Sequence, residues 1–271
     1  MKLAKGSILF ASFLMGALGC YGAPVTFSAS GANPAAVQGT VDSFRTAVGT
    51  LNPNVAGSFA SGRREINWDG VPDSLAAPNS LPANFFNVNS PRGAVFSTPG
   101  GGFQVSANAG VAAIKFDNLN PTYSASFQTF SAQRLFTAFG SNILDVNFFV
   151  PGSATLATTS AFGSIFTDVD IANTTSLQFF DASNNSLGTF FAPTANNGLS
   201  FLGIQFNAGE RVSRVRIISG NTAVGPTEAG AADIVVMDDF IYAETSGVPE
   251  PATWLLMSAG LGVAGFMRKR H

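Results

Sequence analysis

The chain has 271 residues, 46% of them hydrophobic and only 11% charged, with a formal net charge of −2. Its single cysteine, Cys20, and single histidine, His271, stand at opposite ends, so the middle holds no disulfide, no Ser-His-Asp triad and no zinc site of Cys and His ligands. Five of the 14 basic residues but one of the 16 acidic ones lie in the two end segments, which leaves the middle at a net −6 and excludes a phosphate-neutralising, nucleic-acid-binding face.

At the N-terminus Lys2 and Lys5 precede an apolar run from Ile8 to Leu18, followed by small residues. This is the layout of a secretory signal peptide, here given residues 1–22. A cut after Gly19 or after Gly22 fits. Ala17-Leu18-Gly19-Cys20 is also a poor lipoprotein box, so lipidation of Cys20 is a second reading.

The middle, 23–247, is expected to be one exported β domain. The whole chain contains 26 phenylalanines against 3 tyrosines and 2 tryptophans, most of them in this middle part, with abundant glycine, which favours strands joined by tight turns. Val25-Thr26-Phe27 reads as a first strand. Asn33 and Pro34 open a short helix over 35–48, with Val37, Val41, Phe44 and Val48 on one face and Gly49 at its end.

Residues 52–99 read as loop-rich, centred on Ser61-Gly62-Arg63-Arg64-Glu65-Ile66-Asn67-Trp68-Asp69-Gly70. One reading makes Arg63, Arg64, Glu65, Asn67, Trp68 and Asp69, with Arg92 from a second loop, a ligand platform: the indole stacks on a sugar ring and the polar groups bond its hydroxyls. The other is a network of arginines and carboxylates pinning a long loop, with Trp68 in the core.

Beyond Phe103, strands are expected over Gly110 to Phe116, Arg134 to Phe139, Val146 to Val150 and Phe162 to Val169. Leu177 to Phe180 and Leu187 to Phe191 flank a hairpin turn at Asp181 to Ser186. Leu202, Ile204 and Phe206 alternate, as do Val215 and Ile217 with Arg214 and Arg216 on the other face. Ile234 to Met237 is apolar on both faces and reads as a central strand. This spacing predicts a mainly β fold, a β-sandwich of jelly-roll, galactose-binding-like type, with one short N-terminal helix. Asp168, Asp170, Asp238 and Asp239 are candidate calcium ligands. Alternatively they accept backbone N–H groups at turns.

The chain closes with Val248-Pro249-Glu250-Pro251, an apolar run over about 252–267 expected to be a hydrophobic transmembrane helix, and Arg268-Lys269-Arg270-His271. Pro-Glu-Pro breaks regular structure. The apolar run is short for a bilayer, and the basic end predicts a cytoplasmic C-terminus. Gly260-Leu261-Gly262-Val263-Ala264-Gly265 has the spacing of a dinucleotide loop but lacks the following helix and acidic residue. Residues 248–271 resemble the PEP-CTERM sorting signal of Gram-negative bacteria that export polysaccharide. The resemblance implies recognition by exosortase at Val248, Pro249, Glu250, Pro251, Arg268, Lys269 and Arg270, after export through the Sec machinery and signal peptidase. A plain C-terminal membrane anchor is the alternative.

Gly62 to Gly70, Phe85-Phe86-Asn87 with Ser90 to Gly93, Phe166 to Asp170 and Met237 to Phe240 are also similar to domains of other bacterial secreted proteins. That similarity implies a shared fold and no particular activity. The expected function is a non-catalytic cell-surface or matrix module of a biofilm, contacting exopolysaccharide. The alternatives are a carboxylate glycosidase using Asp69 with Glu65 or Asp73, or a matrix filler without a ligand.

Overall fold

The computed structural model describes residues 22–248, apart from 109, 112, 113 and 227–230. The signal segment up to residue 21, Cys20, and the tail from Pro249 through the apolar run to Arg268, Lys269 and Arg270 lie outside the described residues. Among those described, no helix is long and apolar enough to cross a membrane.

The chain enters as β1 (Val25–Gly31) and turns into α1 (Pro34–Val48). The expected helix forms because its apolar stripe has a floor to lie on: Val37, Val41, Phe44 and Val48 are all buried. Asn33 is extended at the N-cap and Pro34 fills the first turn; Gly49, at φ 114°, returns its N–H to the Arg45 carbonyl. β2 (Arg63–Ile66), α2 (Phe85–Val88), β3 (Ala94–Ser97) and β4 (Gly102–Val105) follow. After α3 (Tyr123–Ser126) come β5 (Phe136–Phe139), β6 (Ile143–Phe148), β7 (Ala157–Thr158) and β8 (Ala161–Val169). The hairpin β9 (Ser176–Phe180) and β10 (Ser186–Phe191) leads to β11 (Ala195–Gln205), β12 (Arg214–Ile218), β13 (Val236–Ala243) and β14 (Ser246–Gly247).

One sheet runs β1-β11-β8-β13-β5-β4, with β2 also paired to β13; the other runs β10-β9-β12-β6-β3; β14 pairs β7 apart from both. They face each other across one core. Phe136, Phe162, Phe166, Leu202, Phe240 and Tyr242 come from the first sheet; Phe96, Leu144, Val146, Phe148, Leu177, Phe179, Val215 and Ile217 from the second. The outer face of the first sheet carries α1, whose apolar stripe meets Ile165, Leu199, Phe201 and Ile241. Strands β8 and β13 are therefore covered on both faces and buried along their whole length.

Three expectations need correction. Gly110 to Phe116 is not a strand: Lys115 and Phe116 take left-handed φ values of 48° and 68°, and Phe116 turns into a third apolar cluster with Tyr123 and Phe127. The loop-rich stretch 52–99 holds β2 and β3. The central strand begins at Val236, with Ile234 in an isolated bridge to Gly220. The other expected strands are present with shifted ends.

Candidate functional site

The first half of the densest polar cluster of the sequence, Arg63 to Ile66, proves to be strand, not loop. β2 lies along β13, with Ile66 opposite Phe240 and Arg63 opposite Ala243. A strand alternates its side chains, so Arg64 and Ile66 turn inward and are buried while Arg63 and Glu65 are half-buried on the other face. Arg64 Nε and Nη2 donate to Glu244 Oε2 and Oε1 at 2.7 and 3.0 Å. Its Nη1 donates to the carbonyls of Pro53 and Pro91 at 2.8 and 3.1 Å, and Nη2 to that of Gly57 at 3.1 Å. Every guanidinium nitrogen is thus used to hold loops to the end of the sandwich. Arg92 gives Nε to the Glu65 carbonyl at 2.7 Å and covers the Phe86 ring; burial holds it below the usual arginine range.

Trp68 is 1% exposed. Its ring stacks on Phe136 at 4.0 Å, meets Phe86 and Phe240 edge-on, and its Nε1 donates to the Asp238 carbonyl at 3.0 Å. No face is open to a sugar, so the platform reading is corrected for Trp68 and Arg64: they hold the fold.

Arg63, Glu65 and Asp69 meet at a second place. On β13, Met237 pairs Phe166 and Phe240 pairs Ser164, so Asp238 and Asp239 together oppose a single residue of β8. This β-bulge lets both neighbours of Asp238–Asp239 face the inner core while the two aspartates share the outer side. There Asp238 Oδ2 accepts the Phe130 N–H at 2.6 Å and the Ser131 N–H at 3.3 Å. The Ser131 hydroxyl lies 2.7 Å from Asp239 Oδ1, 3.2 Å from Asp238 Oδ1 and 3.4 Å from Asp69 Oδ2. Asp69 Oδ1 also accepts the N–H groups of Gln133 and Arg134, at 3.0 and 3.2 Å. Arg45, reaching down from α1, bonds Glu65 at 2.9 Å and Asp239 at 3.4 Å, and Arg63 bonds Glu65 at 2.6 Å.

A serine has one proton to give, so it cannot neutralise two buried carboxylates. Burial, and then the charge of Asp239, pushes Asp238 well above the usual carboxylate range, against the pull of the Phe130 N–H. Burial pushes Asp239 up to about 6, with the Ser131 hydroxyl, Asp238 and Arg45 pulling it back and Glu65 adding to the rise. The pair holds a proton where an ordinary aspartate has none.

Asp168 and Asp170 have other neighbours. Asp168 closes β8 at φ 68° and accepts the Asn197 N–H at 2.7 Å; the Asp170 N–H donates to Asp233 at 2.9 Å. Among the described residues no group of three or more His, Cys, Asp or Glu is placed to hold a metal ion. Asp168 and Asp238 accept backbone N–H groups, and Asp239 accepts the Ser131 hydroxyl. Asn67 is exposed beside Trp68. Sequence reasoning missed Arg45, Ser131, Arg134 and Glu244, the partners that make the clusters. Of these only Arg45 carried a signal, next to Phe44 on the helix stripe.

Two open grooves flank these elements. One of about 660 Å³ is lined by Asp42, Arg45, Thr46, Thr50, Leu51 and Arg63. Another, of about 290 Å³, is lined by Thr158, Asp181, Leu187, Glu210, Arg211 and Val248, beside the last described residue.

Residues 247–270 match the PEP-CTERM protein-sorting motif. No curated protein and no solved structure matches the chain. The motif marks an exported protein that exosortase sorts to the cell envelope or surface.

Proposed function

We propose that the exported domain is a non-catalytic surface or matrix module that contacts exopolysaccharide. The observation that carries this is position: the sorting motif begins at residue 247, in β14, and so follows directly on the β domain described above. The strand order supports a jelly-roll reading. β5, β6, β8, β9, β10, β11, β12 and β13 fall into β5-β13-β8-β11 and β6-β12-β9-β10, two interleaved sheets in the order shared with lectin domains. Fold alone assigns no ligand. The groove with Arg45, Arg63, Thr46, Thr50 and Asp42 offers the donors and acceptors that sugar hydroxyls use.

The glycosidase alternative loses support from the same contacts. Glu65 is bonded to Arg45 and Arg63, Asp69 to two backbone N–H groups and Asp73 to Arg134. Each candidate acid is committed to holding the structure. Export across the inner membrane by the N-terminal segment and release of a domain ending near Val248 to Pro251 complete the proposal. The test is co-sedimentation of the released chain with exopolysaccharide of its host. Retention that Thr46→Trp, which plugs the groove, reduces about tenfold supports the reading. No retention, or shortening of the glycan that Asp69→Asn abolishes, overturns it.

A further inference from the structure

We infer that the end of the sandwich carrying Val55, Phe59, Val88 and Leu156 is a membrane-facing surface that rests on lipid headgroups while the C-terminal tail is in place. This rests on the reading of 252–267 as a membrane segment and adds the face that meets the lipid.

Single exposed apolar side chains are ordinary. These four are not scattered. Leu156 is 63% exposed, Val88 61%, Val55 49% and Phe59 38%, and their loops are tied together. The Gly57 N–H donates to the Pro151 carbonyl at 2.8 Å and the Gly152 N–H to the Asn87 carbonyl at 3.0 Å. Arg64 joins the carbonyls of Val55 and Pro91 and covers the Phe59 ring. Leu156 bridges Phe149, and its carbonyl accepts the Val248 N–H at 3.1 Å. The chain therefore leaves the domain from the middle of this apolar rim. Arg211, exposed, bonds Ser246 there and puts a cation beside the exit, suited to anionic headgroups.

Chain reach then fixes the distance to the bilayer. Three residues lie between Val248 and Ala252, four steps along the chain, and a fully extended chain covers at most about 3.6 Å per step, so Val248 lies within about 14 Å of the start of the apolar run. The headgroup layer alone is about 5–8 Å deep on each side. Moreover, 252–267 wound as a helix would cover about 24 Å against a hydrocarbon core of about 30 Å. The shortfall draws the domain inward, because the basic residues at the other end resist entry. A domain structured up to Val248 cannot stand clear of the membrane, and the face it turns down is the one with Leu156 at its centre.

The test uses the full chain with Cys20→Ser, carrying one cysteine labelled with an environment-sensitive fluorophore, in phosphatidylethanolamine–phosphatidylglycerol vesicles with spin-labelled lipid. Leu156→Cys and Val88→Cys read the face. Ala172→Cys, beyond the opposite end of β8, is the control, and Met257→Cys reads the tail. The expected result is lipid quenching at 88 and 156 at least threefold that at 172, with 257 quenched most. Quenching at 257 with 156 no different from 172 overturns the inference and leaves the tail reading standing. No quenching at 257 removes the tail reading, and the inference with it. Shielding of 156 only when exosortase or a second copy cross-links there overturns it in favour of a protein partner.

Discussion

Arg64 and Glu244 form a two-pronged ion pair at 2.7 and 3.0 Å, with side chains 0% and 3% exposed, between residues 180 apart in sequence. Removing one partner leaves a buried charge uncompensated. Arg64→Met is therefore expected to cost about 3–5 kcal/mol, read by urea unfolding of the exported chain. Arg64→Lys is expected to recover little of it, because an ammonium cannot span both carboxylate oxygens and the surrounding carbonyls together. Full recovery by lysine would show that charge alone suffices.

Trp68 gives a second prediction. Its stacking on Phe136 and its hydrogen bond to the Asp238 carbonyl fill the centre of the inner core. Trp68→Ala is expected to destabilise by about 3–5 kcal/mol through the cavity left behind. Trp68→Phe keeps most of the volume but orphans that carbonyl, at a cost of about 1–3 kcal/mol. Equal losses in thermal unfolding of the two variants would contradict the packing account.

These two residues also mark what the sequence could and could not say. α1 was legible because Val37, Val41, Phe44 and Val48 repeat at helical spacing between a proline and a glycine. β8, β9, β11 and β12 were legible from alternation and turn residues. β2 was not, since Arg63-Arg64-Glu65 looks like surface; it becomes a strand only because Glu244 and Arg45, remote in sequence, supply the counter-charges. Met237-Asp238-Asp239-Phe240 was legible as an acidic pair. Its convergence on Ser131 depends on a register shift that no local pattern encodes. The apparent strand at Gly110 to Phe116 failed because Phe116 reaches its core by a left-handed turn.

A third prediction concerns the fit of α1 on the sheet. A Cβ on Gly163 would come within 2.9 Å of the Phe44 ring and 3.0 Å of the Gly203 backbone. Gly163→Ala is expected to destabilise by about 1–3 kcal/mol, as overpacking does. Gly39, exposed in the same helix, has nothing within 4 Å of its would-be Cβ. Gly39→Ala is expected to stabilise by about 0.5–1 kcal/mol, by helix propensity alone. Urea midpoints that move in the same direction for both would reject the close fit of Phe44 over Gly163.

The bulge pair sets a pH dependence. Asp239 titrates at about 6 in the folded chain against a usual 3.8, and Asp238 lies well above that range. The unfolded chain gives up both protons first, so between the unfolded and folded titrations the folded state binds more protons. Stability therefore falls as pH rises from about 4 and is highest on the acid side. The Asp239 part, roughly two units, corresponds to on the order of 3 kcal/mol and is fully lost above about pH 6. Asp238→Asn keeps an acceptor for the Phe130 N–H and a donor for Asp239 but has no proton to lose. The variant is expected to be more stable than the parent at pH 7, and its remaining decline to end near pH 6. Melting temperatures of parent and variant measured from pH 4 to 8 decide the matter: profiles that run parallel across that range would show that Asp238 holds no extra proton in the folded state.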